Sequence, residues 1–250
     1  MSEATRQILE ELLIHTSISS TNDELWTRLE TGKITPAACL SETQTAGRGR
    51  RGDHWHSPAT GNLYLSLFWP FPAGYEKNGI SIAMGVALVK ALESFNINNL
   101  ELKWPNDLLY KKQKLGGIIV ESRFGKTQNT VIGVGLNLRL PTATQNLIKQ
   151  PTTSLQQLCT NVPCRNQLAG KIIQTMIETL QQFQQYGLNP FLEKWSKHDA
   201  LYNQTITIQN DSEHFEAIGC GIDNEGALRY HHENEIKSLS SSHFSIRIVS

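Results

Sequence analysis

The 250-residue sequence lacks an excess of charge of either sign, because 23 Lys and Arg residues are balanced by 23 Asp and Glu residues. A chain without net charge has no general electrostatic attraction to nucleic acid or to anionic lipid, so neither is expected as a partner. Any positive field that the protein uses must therefore be concentrated at one place in the chain.

Cysteine is also scarce, and neither a long apolar run nor a secretion signal is recognisable. The cysteines Cys39, Cys159, Cys164 and Cys220 are scattered, and no second Cys or His pair completes the zinc-ligand spacing that Cys159 and Cys164 begin. No apolar run reaches the length of about 18 residues that predicts a membrane span. The N-terminal segment opens with an acid and has no apolar core of a secretion signal. We therefore expect a cytoplasmic protein with free thiols.

Apolar spacing predicts a mixed α/β domain followed by a small β domain. Helices are predicted at residues 4–14, 80–95 and 166–186, and strands at 38–41, 62–69, 101–104, 117–122 and 130–138. Another helix begins after Ser20-Thr21-Asn22, whose hydroxyl groups are suited to capping. From about residue 201, short strands alternate with turn residues, which is typical of a small barrel. The predicted boundary therefore separates residues 1–200 from residues 201–250.

The densest local charge lies in Gly47–Trp55, where three arginines and three glycines stand between two predicted strands. Arginines in a glycine-rich loop can surround an anion with forked donors and backbone amides, and phosphate is the natural guest. A nucleic-acid-binding arginine–glycine segment and a solvated turn are the alternatives. The flanking apolar strands and the lack of further basic surface disfavour a nucleic-acid footprint.

Two further segments place polar residues beside glycines. Lys103-Trp104-Pro105-Asn106-Asp107 is a strand that proline ends, and its Asn and Asp can offer oxygens to a hydrated divalent cation. Lys114 follows seven residues later, beside Gly116-Gly117. Gly133 and Gly135 lie within a predicted strand, where glycine usually marks the close approach of another group. A polar hairpin and a plain bulge are the structural alternatives for these segments.

In order and spacing, these segments resemble those of biotin–protein ligases. The resemblance rests on Ser20-Thr21-Asn22, residues 42–52 with Trp55, Asn62-Leu63-Tyr64, and residues 103–107, 114–117 and 133–137, and it extends to Ser245-Ile246-Arg247. It implies a catalytic domain related to class II aminoacyl-tRNA synthetases over residues 1–200, with a mixed sheet and helices, and an SH3-like barrel over residues 201–250. The chain resembles the monofunctional members, because no DNA-binding winged helix precedes the motifs.

The resemblance also implies the activity, that of an ATP-dependent ligase forming a carbon–nitrogen bond. Biotin would be activated as biotinyl-5′-AMP with release of pyrophosphate, and then transferred to one lysine of a biotin carboxyl carrier protein. The implied substrates are biotin and ATP, the implied metal is Mg²⁺, and the family also includes homodimers. A lipoate–protein ligase, which would share the fold and the adenylate chemistry, and an RNA-binding module that uses the arginine loop remain as alternatives.

Carried over position by position, the resemblance assigns the site residues. The catalytic residues would be Lys114, Arg48 and Arg50, with Lys114 bridging the biotin carboxylate and the α-phosphate. Biotin would contact Ser20, Thr21, Gln44, Gly47, Arg48, Gly49, Arg50, Lys114, Gly117 and Gly133. ATP or the adenylate would contact Arg48, Arg50, Trp55, Asn106, Lys114, Asn137 and Arg247, and Mg²⁺ would be held by Asn106 and Asp107. We expect the loop Gly47–Trp55 to be mobile without ligand and to order over it, because its arginines repel one another until an anion arrives.

Overall fold

A computed structural model of the chain describes residues 1–59, 61–75, 78–124, 128–148, 150–210, 212–240 and 244–249. It contains a seven-stranded mixed sheet with helices on its faces and a five-stranded antiparallel sheet. The helices are α1 Glu3–Ile8, α2 Thr21–Glu30, α3 Ile80–Glu93, α4 Thr142–Gln145, α5 Leu155–Leu158, α6 Arg165–Tyr186 and α7 Asn189–His198. The strands are β1 Glu11–Ile18, β2 Ala37–Gln44, β3 Leu63–Phe71, β4 Leu100–Lys103, β5 Asp107–Tyr110, β6 Gln113–Phe124, β7 Gln128–Leu136, β8 Thr205–Gln209, β9 His214–Ile222, β10 Leu228–His232, β11 Glu235–Leu239 and β12 Ser245–Ile248.

The large sheet has the order β1-β2-β3-β7-β6-β5-β4 and confirms the predicted mixed sheet. Its one parallel pair among the described residues is β1 with β2, and the other neighbours are antiparallel. Strand β3, predicted to be central because it is apolar at most positions, lies in the middle of the sheet and is buried at nearly every residue. A strand buried on both faces needs apolar side chains in both directions, which explains its composition.

The two faces of the sheet are covered differently. Leu63, Leu65 and Leu67 of β3 point to the large apolar cluster that α3 and α6 form, whereas Phe68 joins a smaller cluster under α2. Successive side chains of a strand point to opposite faces, so the residues between these leucines lie on the α2 face. That face carries the candidate site.

The prediction of a helix over residues 4–14 is wrong beyond its first turns. Helix α1 ends at Ile8, and residues 11–18 form β1, which pairs with β2 in a parallel register. Leu13 packs against the cluster under α2, while its neighbours Leu12 and Ile14 are exposed. This alternation has the period of a strand, and sheet pairing overrides the helical spacing that Ile8, Leu9 and Leu12 suggest.

The predicted C-terminal barrel is an open sheet among the described residues. Its order is β11-β10-β9-β8-β12, so the first and last strands of that order are edges that do not pair with each other. Ile206, Leu228 and Ile246 belong to the same apolar cluster as the helices of the large sheet. The apolar side chains of the small sheet therefore form one continuous core with those of the large sheet and its helices. Because both sheets share this core, the division at residue 200 stays a prediction.

Among the described residues, none of the helices combines the length and the apolar composition that a membrane crossing requires.

Candidate functional site

Glycines leave a floor without side chains on the α2 face of the central strands. Gly135 of β7 pairs with Tyr64 of β3 on one side and with Gly117 of β6 on the other, and Gly117 pairs in turn with Asp107 of β5. Two residues along β7, Gly133 pairs with Ser66 and with Ile119. A cavity of about 1200 Å³ lies over this part of the sheet.

The cavity brings together every residue that the sequence analysis assigned except Gly47. The assigned residues on its wall are Ser20, Thr21, Gln44, Arg48, Gly49, Arg50, Trp55, Asn106, Asp107, Lys114, Gly117, Gly133, Asn137 and Arg247. Gly47 lies behind the wall, where a Cβ atom would stand 2.6 Å from both Ser57 Oγ and the Trp55 carbonyl oxygen. Glycine at this position therefore permits the two arms of the arginine loop to approach each other.

Positive charge is concentrated around the cavity, although the chain as a whole is neutral. The cationic wall residues are Arg48, Arg50, Arg51, Lys103, Lys112, Lys114 and Arg247, and the anionic ones are Asp53 and Asp107. Fixed cations that outnumber anions in a concave, partly desolvated site favour an anionic guest.

Two lysines share one carboxylate at the edge of the glycine floor. Lys114 Nζ lies 2.7 Å from Asp107 Oδ1, and Lys103 Nζ lies 4.0 Å from Asp107 Oδ2. Burial lowers the pKa of the Lys103 ammonium; Asp107 opposes this shift, while the charges of Lys114 and Arg247 add to it. Lys103 was not assigned a role from the sequence, although it begins the Lys-Trp-Pro-Asn-Asp motif. The single carboxylate of Asp107 does not neutralise both Lys103 and Lys114, and the remaining positive charge suits the binding of phosphate.

A network of small polar side chains forms another part of the wall. The backbone N–H and hydroxyl of Thr21 donate to Gln44 Oε1 at 2.9 and 3.1 Å, and Gln44 Nε2 donates to Ser57 Oγ at 3.1 Å. Ser66 Oγ lies 2.7 Å from Thr21 Oγ1 and 2.5 Å from Asn22 Oδ1. The sequence analysis assigned no role to Ser66, because a lone serine in an apolar strand carries no recognisable signal.

Ser20 occupies the N-cap position of α2, but its side chain makes no capping hydrogen bond. The predicted capping by a hydroxyl group at this position is therefore wrong. Ser20 instead lies on the wall of the cavity.

Trp55 covers the glycine floor. A Cβ atom at Gly135 would stand 2.7 Å from Trp55 Nε1, and one at Gly117 would stand 3.4 Å from Trp55 Cζ3. Lys114 Nζ lies 5.4 Å from the centre of the indole ring. Within the described part of the chain, the indole N–H is buried and finds no hydrogen-bond partner. A buried donor without a partner is costly, so a ligand acceptor at this place would be stabilised.

The two arginines predicted to be catalytic have different surroundings. Arg50 Nη1 donates to Asn106 Oδ1 at 2.9 Å, and burial lowers the pKa of its guanidinium. Arg48 instead faces two carboxylates, with Nη1 2.5 Å from Asp23 Oδ2 and Nη2 3.2 Å from Glu121 Oε1. The hydrogen bond to Asp23, together with Glu121, raises the pKa of Arg48. Neither carboxylate was assigned a role from the sequence.

The predicted magnesium ligands offer one carboxylate and one amide oxygen. No group of three or more His, Cys, Asp or Glu side chains suited to a metal occurs among the described residues. Asn106 follows the cis Trp104–Pro105 bond, and its Oδ1 accepts from Arg50, while Asp107 faces Lys114. Mg²⁺ usually keeps several waters and binds proteins through one or two carboxylates plus substrate phosphates. The two residues fit such an ion only when a triphosphate supplies further oxygens.

The remaining two assigned residues, Asn137 and Arg247, come from the two different sheets. Asn137, just after β7, donates from Nδ2 to the Thr153 carbonyl at 3.1 Å and so holds the next segment against the cavity. Arg247 lies in β12 of the small sheet and reaches the same cavity. Whether a C-terminal arginine can reach the site could not be read from the sequence, because it depends on how the two sheets pack.

Residues 14–137 match the model of the Biotin/lipoate A/B protein ligase family. The chain is 35% identical over 234 residues to the bifunctional ligase/repressor BirA of Escherichia coli, an alignment that covers 92% of this chain and 72% of that protein. It is 32% identical over 182 residues to the biotin–[acetyl-CoA-carboxylase] ligase of Mycobacterium tuberculosis, covering 69% of this chain and 64% of that protein.

The fold is similar to that of a solved structure, the biotin protein ligase of Aquifex aeolicus in complex with biotin and ATP. The TM-score is 0.82 with 24% sequence identity, and the superposition covers 96% of this chain and 100% of that chain. A Leishmania major biotin protein ligase in complex with biotinyl-5-AMP superposes with a TM-score of 0.65 and 22% identity, covering 92% of this chain and 99% of that chain.

Proposed function

The chain belongs to the biotin/lipoate A/B protein ligase family, and from this membership we propose that it is a biotin–protein ligase that uses ATP to join biotin to one lysine of a biotin carboxyl carrier protein. The observation that carries the proposal is the juxtaposition of two kinds of wall in one cavity. The small polar network lies at the pairing of Ser66 in β3 with Gly133 in β7, and the cationic group lies at the pairing of Gly117 in β6 with Asp107 in β5.

The two walls are offset by two residues along the strands, about 7 Å, and also by the spacings between β3 and β5, each about 4.8 Å, so only an extended ligand can touch both. The ureido ring of biotin presents N–H donors and a carbonyl acceptor, which match the amide of Gln44 and the hydroxyls of Ser20 and Thr21. Its carboxylate would then face Lys114 and Arg50 across the glycine floor. In the ligand-free protein Trp55 lies over Gly117 and Asn22 lies over Gly133, so these side chains would have to shift for the ligand to lie against the backbone of either glycine.

In the first step, a biotin carboxylate oxygen attacks the α-phosphorus of ATP, the bond to the bridging oxygen breaks, and pyrophosphate leaves. Two unit charges of like sign repel by about 1 kcal/mol at 4 Å in water and by about 4 kcal/mol at an effective dielectric constant near 20. The cations of the cavity offset this repulsion and are already in place, so little reorganisation is needed. The protein's contribution is mainly position and charge.

Lys114 is the residue best placed to join the two reacting anions. In the ligand-free protein its ammonium is held by Asp107, and an arriving carboxylate and phosphate would offer it stronger partners. Asp107, released from Lys114, and Asn106 would hold Mg²⁺ together with the triphosphate. Bound there, Mg²⁺ would neutralise charge on the departing pyrophosphate. Asn137 and Arg247 would line the nucleotide part of the cavity.

In the second step, the neutral ε-amine of the acceptor lysine attacks the biotinyl carbonyl carbon, an amide bond forms, and AMP leaves. Until the carrier protein arrives, the mixed anhydride must be protected from water. Trp55 is placed for this task, because its ring covers the glycine floor and its buried N–H has no partner among the described residues. The requirement for ATP supports the cytoplasmic location predicted from the sequence, and the homodimer stays a prediction.

Biotin-dependent exchange of pyrophosphate into ATP tests the proposal. We expect exchange with biotin and none with lipoate, and we expect an acceptor domain to gain biotin at one lysine by mass spectrometry. Exchange driven by lipoate would instead identify a lipoate–protein ligase. Absence of exchange with both acids, together with binding of RNA, would overturn the assignment as an adenylating enzyme.

A further inference from the structure

Two carboxylates outside the assigned site hold the first arginine of the loop. We name Asp23 and Glu121 the carboxylate clamp; they contact Nη1 and Nη2 of Arg48 at 2.5 and 3.2 Å. Both terminal nitrogens of this guanidinium therefore already have anionic partners without any ligand. Arg50, by contrast, donates to a neutral amide oxygen of Asn106 inside the cavity.

Glu121 is itself fixed from the opposite side. Its second oxygen, Oε2, accepts from Asn22 Nδ2 at 3.0 Å and from Trp26 Nε1 at 2.9 Å, and both donors belong to α2. Asn22 also lies 2.5 Å from Ser66 Oγ through its own oxygen. The clamp is therefore continuous with the polar network of the cavity and is not a pair of loose surface side chains.

The carboxylate clamp holds the loop Gly47–Trp55 at Arg48, a residue whose arm of the loop is hydrogen-bonded to the arm that carries Trp55. The two arms of the loop pair with each other, since Trp55 N donates to the Gly47 carbonyl at 2.9 Å and Arg48 forms a short antiparallel bridge with His54. Gly49 N donates to the Asp53 carbonyl at 2.7 Å in the same ladder. Fixing Arg48 on the first arm thus fixes the backbone of Trp55 on the second arm.

We propose that Asp23 and Glu121 are positioning residues, which hold Arg48 as the anchor of the loop so that Trp55 and Arg50 meet the ligand. Arg48 then acts through the loop backbone, and not as a direct ligand of phosphate or carboxylate. Two carboxylates already neutralise the charge of this guanidinium, so a third anion would gain little from Arg48 unless it displaced one of them. The part of this inference that concerns ligand binding rests on the proposed function.

The anchor can be tested first without any substrate. Trypsin cuts after arginine, and the loop tip carries Arg50 and the exposed Arg51. We expect the variants Asp23→Asn, Glu121→Gln and Arg48→Ala to be cut at the tip faster than the unaltered protein, by about three- to tenfold for the loss of both carboxylates. Glu178→Gln, which breaks the exposed pair with Lys90, is the matched control and should leave the rate unchanged.

The combination of variants separates an anchor from a ligand contact. If Arg48 acts only through the clamp, adding Arg48→Ala to the double carboxylate variant gives no further increase in cleavage. In pyrophosphate exchange, Arg48→Ala and the double carboxylate variant should raise the KM for biotin and for ATP to the same degree, with little change in kcat. The conservative variant Asp23→Glu should keep the KM values of the unaltered protein. Asp23→Asn alters a half-exposed side chain, so this variant stays informative if the Glu121 variant unfolds.

Two results would overturn the proposal. One is an unchanged cleavage rate in Asp23→Asn and in the double carboxylate variant. The other is a loss of exchange in Arg48→Ala that exceeds the loss in the double carboxylate variant by a hundredfold or more, as a direct contact with the reacting anions would give. If the unaltered protein shows no exchange, the proposed function fails, while the cleavage rates still decide the role of the clamp.

Discussion

At the scale of residues, Lys114 combines two properties that a group between two anions needs. Its ammonium is mostly shielded from solvent, and it is held by an aspartate that an anionic ligand can replace. We expect Lys114→Ala to lose at least a hundredfold in the rate of pyrophosphate exchange, as is usual when a preorganised charge contact is removed. Thermal unfolding should show a protein that is still folded, because Asp107 keeps Lys103 as a neighbour.

Lys90→Ala is the matched control for this change, since that lysine of α3 is exposed and does not line the cavity. It should leave exchange unaltered. Near-normal exchange in Lys114→Ala would contradict the role of Lys114 as the bridge between carboxylate and phosphate.

Lys103 predicts a dependence on pH. Its pKa in the ligand-free protein is lowered by burial, so it loses its proton at a lower pH than an ordinary lysine. Bound phosphate favours the protonated form, so we expect ATP affinity to fall as pH rises through the lowered pKa. In the window between this pKa and the ordinary value, the unfolded chain binds more protons, so stability should rise with pH over the same window.

Titration calorimetry of ATP binding between neutral and alkaline pH checks this expectation. Lys103→Arg keeps its charge throughout, so its ATP affinity should stay level where that of the unaltered protein falls. Identical pH profiles for the two proteins would show that another group is responsible for the decrease.

The residues that could be assigned from the sequence are those whose chemistry is concentrated in short motifs, such as Lys114 beside its diglycine. Glu121 could not be found in this way, because it lies about a hundred residues from its partners Asn22 and Trp26 and meets them only through the packing of α2 on the sheet. Ser66 escaped for the same reason. Distant contacts of this kind depend on packing, which local sequence does not encode.

At the scale of elements, the glycines of β6 and β7 and the loop that carries Trp55 form one unit. An alanine at Gly135 would place its Cβ atom against the indole ring, including Nε1 at 2.7 Å. We expect Gly135→Ala to displace Trp55 and to weaken biotin binding by tenfold or more, measured by calorimetry. Alanine favours strand geometry over glycine, so thermal stability should change little if the ring moves out.

Gly170→Ala is the control for this prediction. This glycine lies in α6, where the nearest atoms to an added Cβ are 3.5 Å away, so alanine should stabilise the helix and leave biotin binding intact. Biotin affinity that is equal in Gly135→Ala and the unaltered protein would show that Trp55 does not have to lie over the glycine floor.

The elements themselves could be predicted to different degrees. Helix α6 has a long, periodic apolar stripe and α3 is apolar at nearly every position, and the places of both helices follow from sequence alone. The first strand could not be predicted, because Ile8, Leu9, Leu12 and Leu13 fit a helical face as well as they fit the observed turn and strand. Pairing with β2 decided between them, and a parallel pairing across the intervening α2 leaves no local signal.

At the scale of the whole molecule, segments from both sheets bring seven cationic side chains to one cavity, although the chain has no net charge. The concentration within Gly47–Trp55 was visible in the sequence, but the addition of Arg247 depends on the packing of the small sheet. That packing is fixed by shared apolar core and by polar contacts such as the Trp104 Nε1–H bond to the Gly226 carbonyl at 2.9 Å. The SH3-like barrel predicted for residues 201–250 is, among the described residues, an antiparallel five-stranded sheet that is not closed.

Arg247 tests whether the small sheet contributes to the site. Burial lowers the pKa of Lys103 and the charge of Arg247 adds to the shift, and both residues line the same cavity. We expect Arg247→Gln to weaken ATP binding by about tenfold, the loss of one charge-assisted contact, and to leave biotin binding unchanged. Removal of the neighbouring charge should also move the alkaline decrease in ATP affinity to higher pH. Arg229→Gln is the control, because Arg229 lies in β10 of the same sheet but does not line the cavity; it should change neither the ATP affinity nor its pH dependence. Equal ATP affinities for Arg247→Gln, Arg229→Gln and the unaltered protein would mean that the small sheet only supports the fold.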